Sequence, residues 1–444
     1  MAQYSRVRFI GYAIPTTPAD MVAVGDPDGT GAVAGTYRGA EDFDTDIAAR
    51  ALILKSAVDT ARAALPDGET GVLNVFVAPE FYWHGPLGPY VHAPGTPDPG
   101  EAIMATLARL FPIEQYPDFL FVMGTAITSV VADIDVVLST TTTSVCNSVV
   151  RALGEAWQRA DGPLAAVVFD TMVNFIKNAH AYPQVEVRNR AFVLGPQEFT
   201  GSTGALGARE LTTEKYFDSN EDFLLWDVTG RPVITEQMCA YPVLDTSAGD
   251  AKAHALDPHA IFALPGVAAA DVDAALIGVE ICLDHADHRM RKAVDRTPWP
   301  NHPRGVDLHL IPSCGMQLHA SAVAARAGGW AFNCDGQYVL GDGALGIPGR
   351  GCVGDVESTY TDYRPSANSV YGAHTQLAQI RTPPQGAGAR SPGSSDAAFA
   401  SAPDVDVTVI EVPATADLDD YFAGGPGAVH IYGAHNPLPC NAGS

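Results

Sequence analysis

Basic residues are scarce in this chain. Lysine and arginine together number 26 against 51 aspartates and glutamates, a formal net charge of −25 at pH 7 over 444 residues. A field of that sign repels polyanions, so neither nucleic acid nor an anionic membrane surface is expected as a partner. The acidity itself reads as an aid to solubility. Long apolar runs are also missing, each being too short, or too broken by charge and glycine, to span a bilayer. No long apolar signal core precedes the first strand-like segment, and the expectation is a soluble cytoplasmic protein. The seven cysteines (positions 146, 239, 282, 314, 334, 352 and 440) are odd in number, scattered, and without Cys-x-x-Cys spacing. They indicate neither a disulfide framework nor a zinc knuckle.

Apolar residues make up 47% of the chain and the mean hydropathy is +0.05, which excludes a largely disordered polymer. Strand-like and helix-like stretches alternate with no internal repeat and no linker. That pattern predicts one elaborated α/β domain over residues 1–444, with its core at about 7–412. Strands are expected at Val7–Ala13, Gly71–Glu80, Phe119–Gly124, Thr140–Val150, Val185–Leu194, Thr212–Phe217, Phe223–Asp227, Val233–Thr235, Ala275–Cys282, Gly305–Pro312, Gly329–Asn333 and Val405–Val412. Helices are expected at Asp46–Leu65, Glu101–Phe111, Leu164–Ala179, Met290–Val294 and Ala320–Ala327. The Pro/Gly-rich stretches up to Gly39 and over Gly85–Gly100 read as loops. Residues 360–402 read as a long loop or flap, and 413–444 as an extended tail.

Chemistry concentrates where strand-like runs stop. The run Ala275-Leu-Ile-Gly-Val-Glu-Ile-Cys282 ends in a thiol followed by Leu283, Asp284 and His285. In α/β sheets that edge is where ligands bind. Glu80 closes another such run and Lys215 ends a third. A free thiol has a pKa of about 8.5 and is mostly protonated at neutral pH. A carboxylate that takes its proton lets sulfur attack a carbon multiply bonded to oxygen or nitrogen. An ammonium beside it, and the N–H of Leu283, would stabilise the charge that develops on the substrate heteroatom.

Four segments, in order, resemble the nitrilase superfamily of carbon–nitrogen hydrolases. Val75-Phe-Val-Ala-Pro-Glu80 resembles its glutamate strand, and Ile277-Gly-Val-Glu-Ile-Cys-Leu-Asp284 its cysteine motif, with Leu283 in place of tyrosine. Gly305–Ser313 is similar to the strand after the nucleophile, and Ala325–Asn333 to the Arg-Ala helix and asparagine-ending strand beyond it. The resemblance implies an α/β fold of four αββα layers carrying large loop insertions. It also implies a Glu80–Lys215–Cys282 triad, catalysis without metal or organic cofactor, and pairing into a homo-oligomer. The usual Arg-Lys-x-His lysine motif is absent here. Asn189-Arg-Ala-Phe-Val-Leu-Gly195 resembles the strand that normally precedes that lysine, which favours Lys215 over Lys177, and Glu221 would be the second, supporting glutamate.

The implied activity is cysteine-dependent hydrolysis of a non-peptide C–N bond in a small amide, through a thioester. A nitrile substrate, acyl transfer to an amine, and a non-catalytic binding protein on the same fold are the other readings. Phe81, Tyr82 and Trp83 either shape the substrate cavity or fill core. Cys314 lines the pocket or packs, and His285 is a pocket wall or a satisfied polar residue after the strand. Asp284-His285-Ala-Asp287-His288 is not expected to hold a metal. Neighbouring side chains rarely converge on one ion, and the sequence offers no second cluster.

Overall fold

The computed structural model describes residues 4–17, 19–24, 32–86, 88–93, 95–131, 155–169, 185–201, 204–216, 256–267, 274–296, 305–319, 321–339, 359–363, 371–380, 399–400 and 405–440. Strand β1 (Arg6–Ala13) forms where expected, but the stretch up to Gly39, read as loop, holds a separate hairpin of β2 (Ala19–Val24) and β3 (Ala32–Thr36). Helix α1 (Phe43–Ala63) starts earlier than its apolar periodicity suggests. Asp42 caps it by accepting from the Thr45 N–H, and Asp44 and Asp46 occupy its first turn. Strand β4 (Val72–Ala78) is buried at every position, the habit of a central strand covered on both faces. Within the Gly85–Gly100 stretch lies short β5 (Tyr90–His92), before α2 (Pro99–Leu110), which Asp98 caps with Pro99 at the first helical position.

Next come β6 (Phe119–Val131), β7 (Val185–Leu194), β8 (Thr200–Gly201), β9 (Gly204–Ala205) and β10 (Glu210–Glu214). They are followed by β11 (Ile261–Pro265), β12 (Ala274–Val279), a helical turn α3 (Leu283–Ala286), α4 (Arg289–Arg296) and β13 (Val306–Ser313). The helix expected at Ala320–Ala327 does not form: residues 321–324 are turn and coil, and β14 runs over Ala325–Val339. The alanines favour a helix, but Ala325 pairs with Val306, and a side chain at Gly329 would run into the backbone oxygens of Asp307 and Arg326. Sheet pairing overrides propensity here.

The expected flap over 360–402 instead contributes β15 (Thr359–Tyr363), β16 (Tyr371–Ile380) and β17 (Phe399–Ala400). After β18 (Val407–Glu411), the expected tail supplies β19 (Ala428–Tyr432) and β20 (Leu438–Pro439). Ala-Val-His-Ile-Tyr is short and isolated among glycines, yet all five residues are buried between β1 and β18. The core therefore reaches Cys440 and not only position 412. Residues 163–169 are helical; the rest of the expected 164–179 helix, and the strands expected at 140–150, 223–227 and 233–235, lie outside the described residues.

The strands form two large mixed sheets. The first runs β10-β7-β6-β4-β1-β19-β18 and the second β15-β16-β14-β13-β12-β11-β8-β9. Each has a parallel trio, β1-β4-β6 and β12-β13-β14. The sheets face each other across one core. Phe9 of β1 packs against Trp330 and Phe332 of β14, with ring centroids 6.1 and 5.3 Å apart. On the other face of the first sheet, Ile47, Leu54 and Val58 of α1 and Ile103 and Leu107 of α2 cover Phe76 and Phe121. Gly278 alternates with Ile277, which belongs to the shared core, so it faces away from the first sheet. A side chain there would collide with Met290 of α4, so the missing Cβ lets that helix close on the second sheet. Among the described residues no helix is long and apolar enough to cross a membrane.

Because β19 sits inside the first sheet, a chain truncated after Val412 should lose cooperative folding altogether. Circular dichroism and thermal melting of the 1–412 chain test this, and a cooperative melt near that of the full chain would contradict it.

Candidate active site

Glu80 lies two residues past the end of β4, Lys215 directly past β10, and Cys282 at the turn after β12. These ends come together. Lys215 Nζ is 3.0 Å from Glu80 Oε1, and both side chains are buried. The charges of Glu80 and Lys215 both act on the Cys282 thiol, the first raising its pKa and the second lowering it. Asn189 of β7 donates from Nδ2 to the same Glu80 Oε1 at 2.9 Å, and its carbonyl accepts from the Lys215 N–H at 2.8 Å. Lys177 and Glu221 lie outside the described residues.

Main-chain contacts fix the acid and the thiol to one another. The Cys282 N–H donates to Pro312 O at 3.1 Å, and the Glu80 N–H to the next carbonyl, Ser313 O, at 3.3 Å. Cys314 O is 4.0 Å from Cys282 Sγ, and Thr16 Oγ1 donates to Glu80 O at 2.7 Å. Two residues here hold a backbone that side chains seldom adopt: Phe81 with φ 58° and Cys282 with φ 42°. Non-glycine residues in that region cost energy and cluster at functional sites. At Phe81 the strain is held by its N–H donating to Thr125 Oγ1 at 3.0 Å.

The aromatic triplet divides. Phe81 stays beside the site, its ring 5.9 Å from Lys215 Nζ, and forms a small apolar cluster with Ile127 and Cys314. Tyr82 and Trp83 turn to the α1 side of the first sheet, where Tyr82 OH donates to Arg50 O and Trp83 Nε1 to Met123 O. They fill core. Cys314 is buried against Thr16 and Gln337, with its Sγ 3.6 Å from Thr16 Oγ1.

His285 belongs to a different network. Its Nδ1 is 3.0 Å from Glu280 Oε2, and His309 Nε2 is 2.9 Å from the same oxygen; Glu280 Oε1 accepts from the Met290 N–H at 2.7 Å. Burial pushes the Glu280 carboxyl up, but the hydrogen bonds from His285 and His309 outweigh it and hold it at about 2. Glu280, His285 and His309 are close enough to suggest a metal triad. Their far ring nitrogens argue otherwise. His285 Nε2 accepts from the His319 N–H and His309 Nδ1 from the Ala324 N–H, both at 3.2 Å. The nitrogens facing Glu280 therefore carry the protons, whereas a metal-bound histidine donates from its far nitrogen. The network instead braces the turn that carries Cys282, whose carbonyl accepts from the His285 N–H at 2.8 Å.

Asp284 ties the thiol's turn to the lysine's strand. Its carboxylate accepts from the N–H of Tyr216, the residue after Lys215, at 3.0 Å, and lies 3.3 Å from Arg289 Nε. Burial raises its pKa to about 7 despite the Tyr216 N–H and the Arg289 charge. For Cys282, burial lifts the thiol well above its ordinary value, the Glu80 charge adds to this, and Lys215 opposes it. The resting form is a neutral thiol.

Glu280, Asp284 and the Glu80 contact of Asn189 escape a reading by strand ends. Each sits inside or just beyond a motif, and an acid two positions either side of a cysteine is a weak signal by itself. The structure also makes a pH dependence explicit. The unfolded chain releases the Asp284 proton near 3.8 and the folded chain near 7, so between these values the folded state binds more protons and loses stability as pH rises. Asp335, raised to about 7 by burial, adds to the same slope. Asp284→Asn should therefore flatten part of the fall in melting temperature between pH 4 and 7, and an unchanged slope would contradict the assignment. Compared with protein-family models, curated proteins and solved structures, the chain matches none.

Proposed function

We propose that this chain is a cysteine-dependent hydrolase of a non-peptide C–N bond, with a small amide as substrate. The observation that carries the reading is the buried contact of Lys215 with Glu80, beside the main-chain hydrogen bonds that seat Cys282 and Glu80 on the neighbouring carbonyls of Pro312 and Ser313. The reading agrees with the resemblance to the nitrilase superfamily. The two facing sheets, with α1 and α2 outside the first and α3–α4 outside the second, support that family's four-layer αββα arrangement.

In the proposed reaction Cys282 Sγ attacks the amide carbon while its proton passes to Glu80. Asn189 and Lys215 both engage Oε1, which leaves Oε2 to take that proton. A neutral resting thiol suits this order, because the proton leaves as the S–C bond forms. The carbonyl electrons move to oxygen, and Lys215 stabilises that charge. Leu283 opens α3 directly after the nucleophile, so its N–H belongs to the first-turn donors with no intrahelical acceptor and supplies a second hydrogen bond. The C–N bond breaks as Glu80 returns the proton to nitrogen, leaving a thioester. Water, deprotonated by Glu80, then attacks the thioester carbon, and sulfur departs with that proton as the acid is released.

Intact-mass analysis after mixing with a panel of primary amides and nitriles tests the reading. Wild type should show a substrate-derived acyl adduct and release ammonia. Cys282→Ala should show neither, and Glu80→Gln and Lys215→Met should each slow turnover by on the order of a hundredfold or more. An adduct that survives Cys282→Ala would place the nucleophile elsewhere and overturn the proposal.

A further inference from the structure

We propose that Asn189 determines specificity at this site by accepting a hydrogen bond from the N–H of the substrate's leaving nitrogen, which selects a primary or secondary amide. The inference rests on the hydrolase reading above and deepens it. A carboxylate accepts and does not donate, so the 2.9 Å contact with Glu80 Oε1 fixes which end of the Asn189 amide is nitrogen. The other end, Oδ1, is thereby an acceptor only. It is buried with no hydrogen-bond partner among the described residues, on a residue only 4% exposed.

Such an orphan is costly and calls for an explanation. The main chain of Asn189 is already engaged, its carbonyl by the Lys215 N–H, and β7 is paired on both sides by β6 and β10. The side chain is thus held in place with one acceptor uncommitted, one amide width from the carboxylate that must protonate the departing nitrogen.

The chemistry that fits is an N–H. As sulfur adds, the amide nitrogen loses conjugation and develops a lone pair that takes the Glu80 proton. Holding one N–H on Asn189 Oδ1 turns that lone pair towards the carboxyl group. An ester's leaving oxygen carries no hydrogen and a nitrile nitrogen has none at the moment of attack, so both leave Oδ1 unsatisfied. A site built around a hydrogen bond discriminates strongly against analogues that cannot make it.

The test compares kcat/KM for short-chain primary amides with the methyl esters of the same acids, in wild type, Asn189→Leu, Asn189→Asp and Cys282→Ala. Asn189→Leu removes both the donor to Glu80 and the acceptor. Both substrate kinds should slow, and the amide-to-ester ratio should fall roughly tenfold. Asn189→Asp keeps an oxygen acceptor but places a second carboxylate beside Glu80. Both rates should fall with the ratio kept within about twofold of wild type. Thermal melting checks that each variant folds, and the aspartate variant carries the comparison if the leucine one does not. Equal losses on amides and esters in Asn189→Leu, or a ratio in Asn189→Asp that collapses, would overturn the assignment while leaving the hydrolase reading intact. Activity retained by Cys282→Ala, or a wild type that cleaves neither amide nor ester, would overturn the hydrolase reading itself.

Discussion

Two consecutive carbonyls at the end of β13, Pro312 O and Ser313 O, receive the N–H groups of Cys282 and Glu80. Cys282 comes from the second sheet and Glu80 from the first, so this pair of hydrogen bonds sets the thiol–carboxylate geometry across the sandwich. What holds the carbonyls is a buried carboxylate. Asp335 accepts from the N–H groups of Gly315 and Met316 at 2.8 and 2.7 Å and from Gln337 at 2.8 Å, and Ser313 Oγ lies 2.7 Å from it. An aspartate within β14 thus organises the backbone that holds Cys282 and Glu80. The strained turn at Cys282 is bounded on either side by further carboxylates, Glu280 and Asp284, each satisfied by several donors.

Burying charge in this way is expensive, and it does not favour stability. Taking an ion out of water costs several kcal/mol even after relaxation, and a buried pair of good geometry often only breaks even against a hydrophobic replacement. Glu80 and Lys215 are both nearly inaccessible, with Asn189 as a further donor to the same carboxylate oxygen. By contrast Asp46–Arg50, equally buried, is surrounded by protein groups that explain it. Arg50 reaches the carbonyls of Arg38 and Tyr82 and stacks on Phe422, so the pair fastens α1 to the segments around it. The two ion pairs differ in what lies next to them: one borders a strained cysteine, the other only backbone and aromatic rings.

Legibility followed burial. The parallel strands β4 and β12 are nearly continuous apolar runs and β13 is an apolar–polar alternation; all three announce themselves in sequence and lead to Glu80, Cys282 and Ser313. The lysine was readable because β10 alternates and stops just before it. Two strands in antiparallel positions, β16 and β19, were hidden instead. The sequence Tyr371–Ile380 carries glycine, histidine, threonine and two glutamines, because its polar side chains meet partners inside the protein, as Thr375 meets His430 at 2.8 Å. A composition rule sees a loop where the fold has placed a polar layer between two sheets. The 428–432 strand was lost for another reason: five residues bounded by glycines carry too little periodicity to outweigh their position near the end of the chain.

The same burial that makes the site hard to read constrains how it would work. A thiol raised by desolvation and by its neighbouring carboxylate would be a poor nucleophile at rest. In the proposed reaction it would become reactive only when an electrophilic carbon arrives in contact, since proton transfer to Glu80 would then relieve two unfavourable terms together: the carboxylate charge beside the thiol would be neutralised, and sulfur's new charge would pass into the substrate oxygen. Lys215 would lower the energy of that displaced charge without having to move, because Glu80 and Asn189 already hold it in place. A fixed ammonium aimed at charge that exists only during the reaction stabilises the transition state more than the bound substrate, and that difference is what catalysis requires.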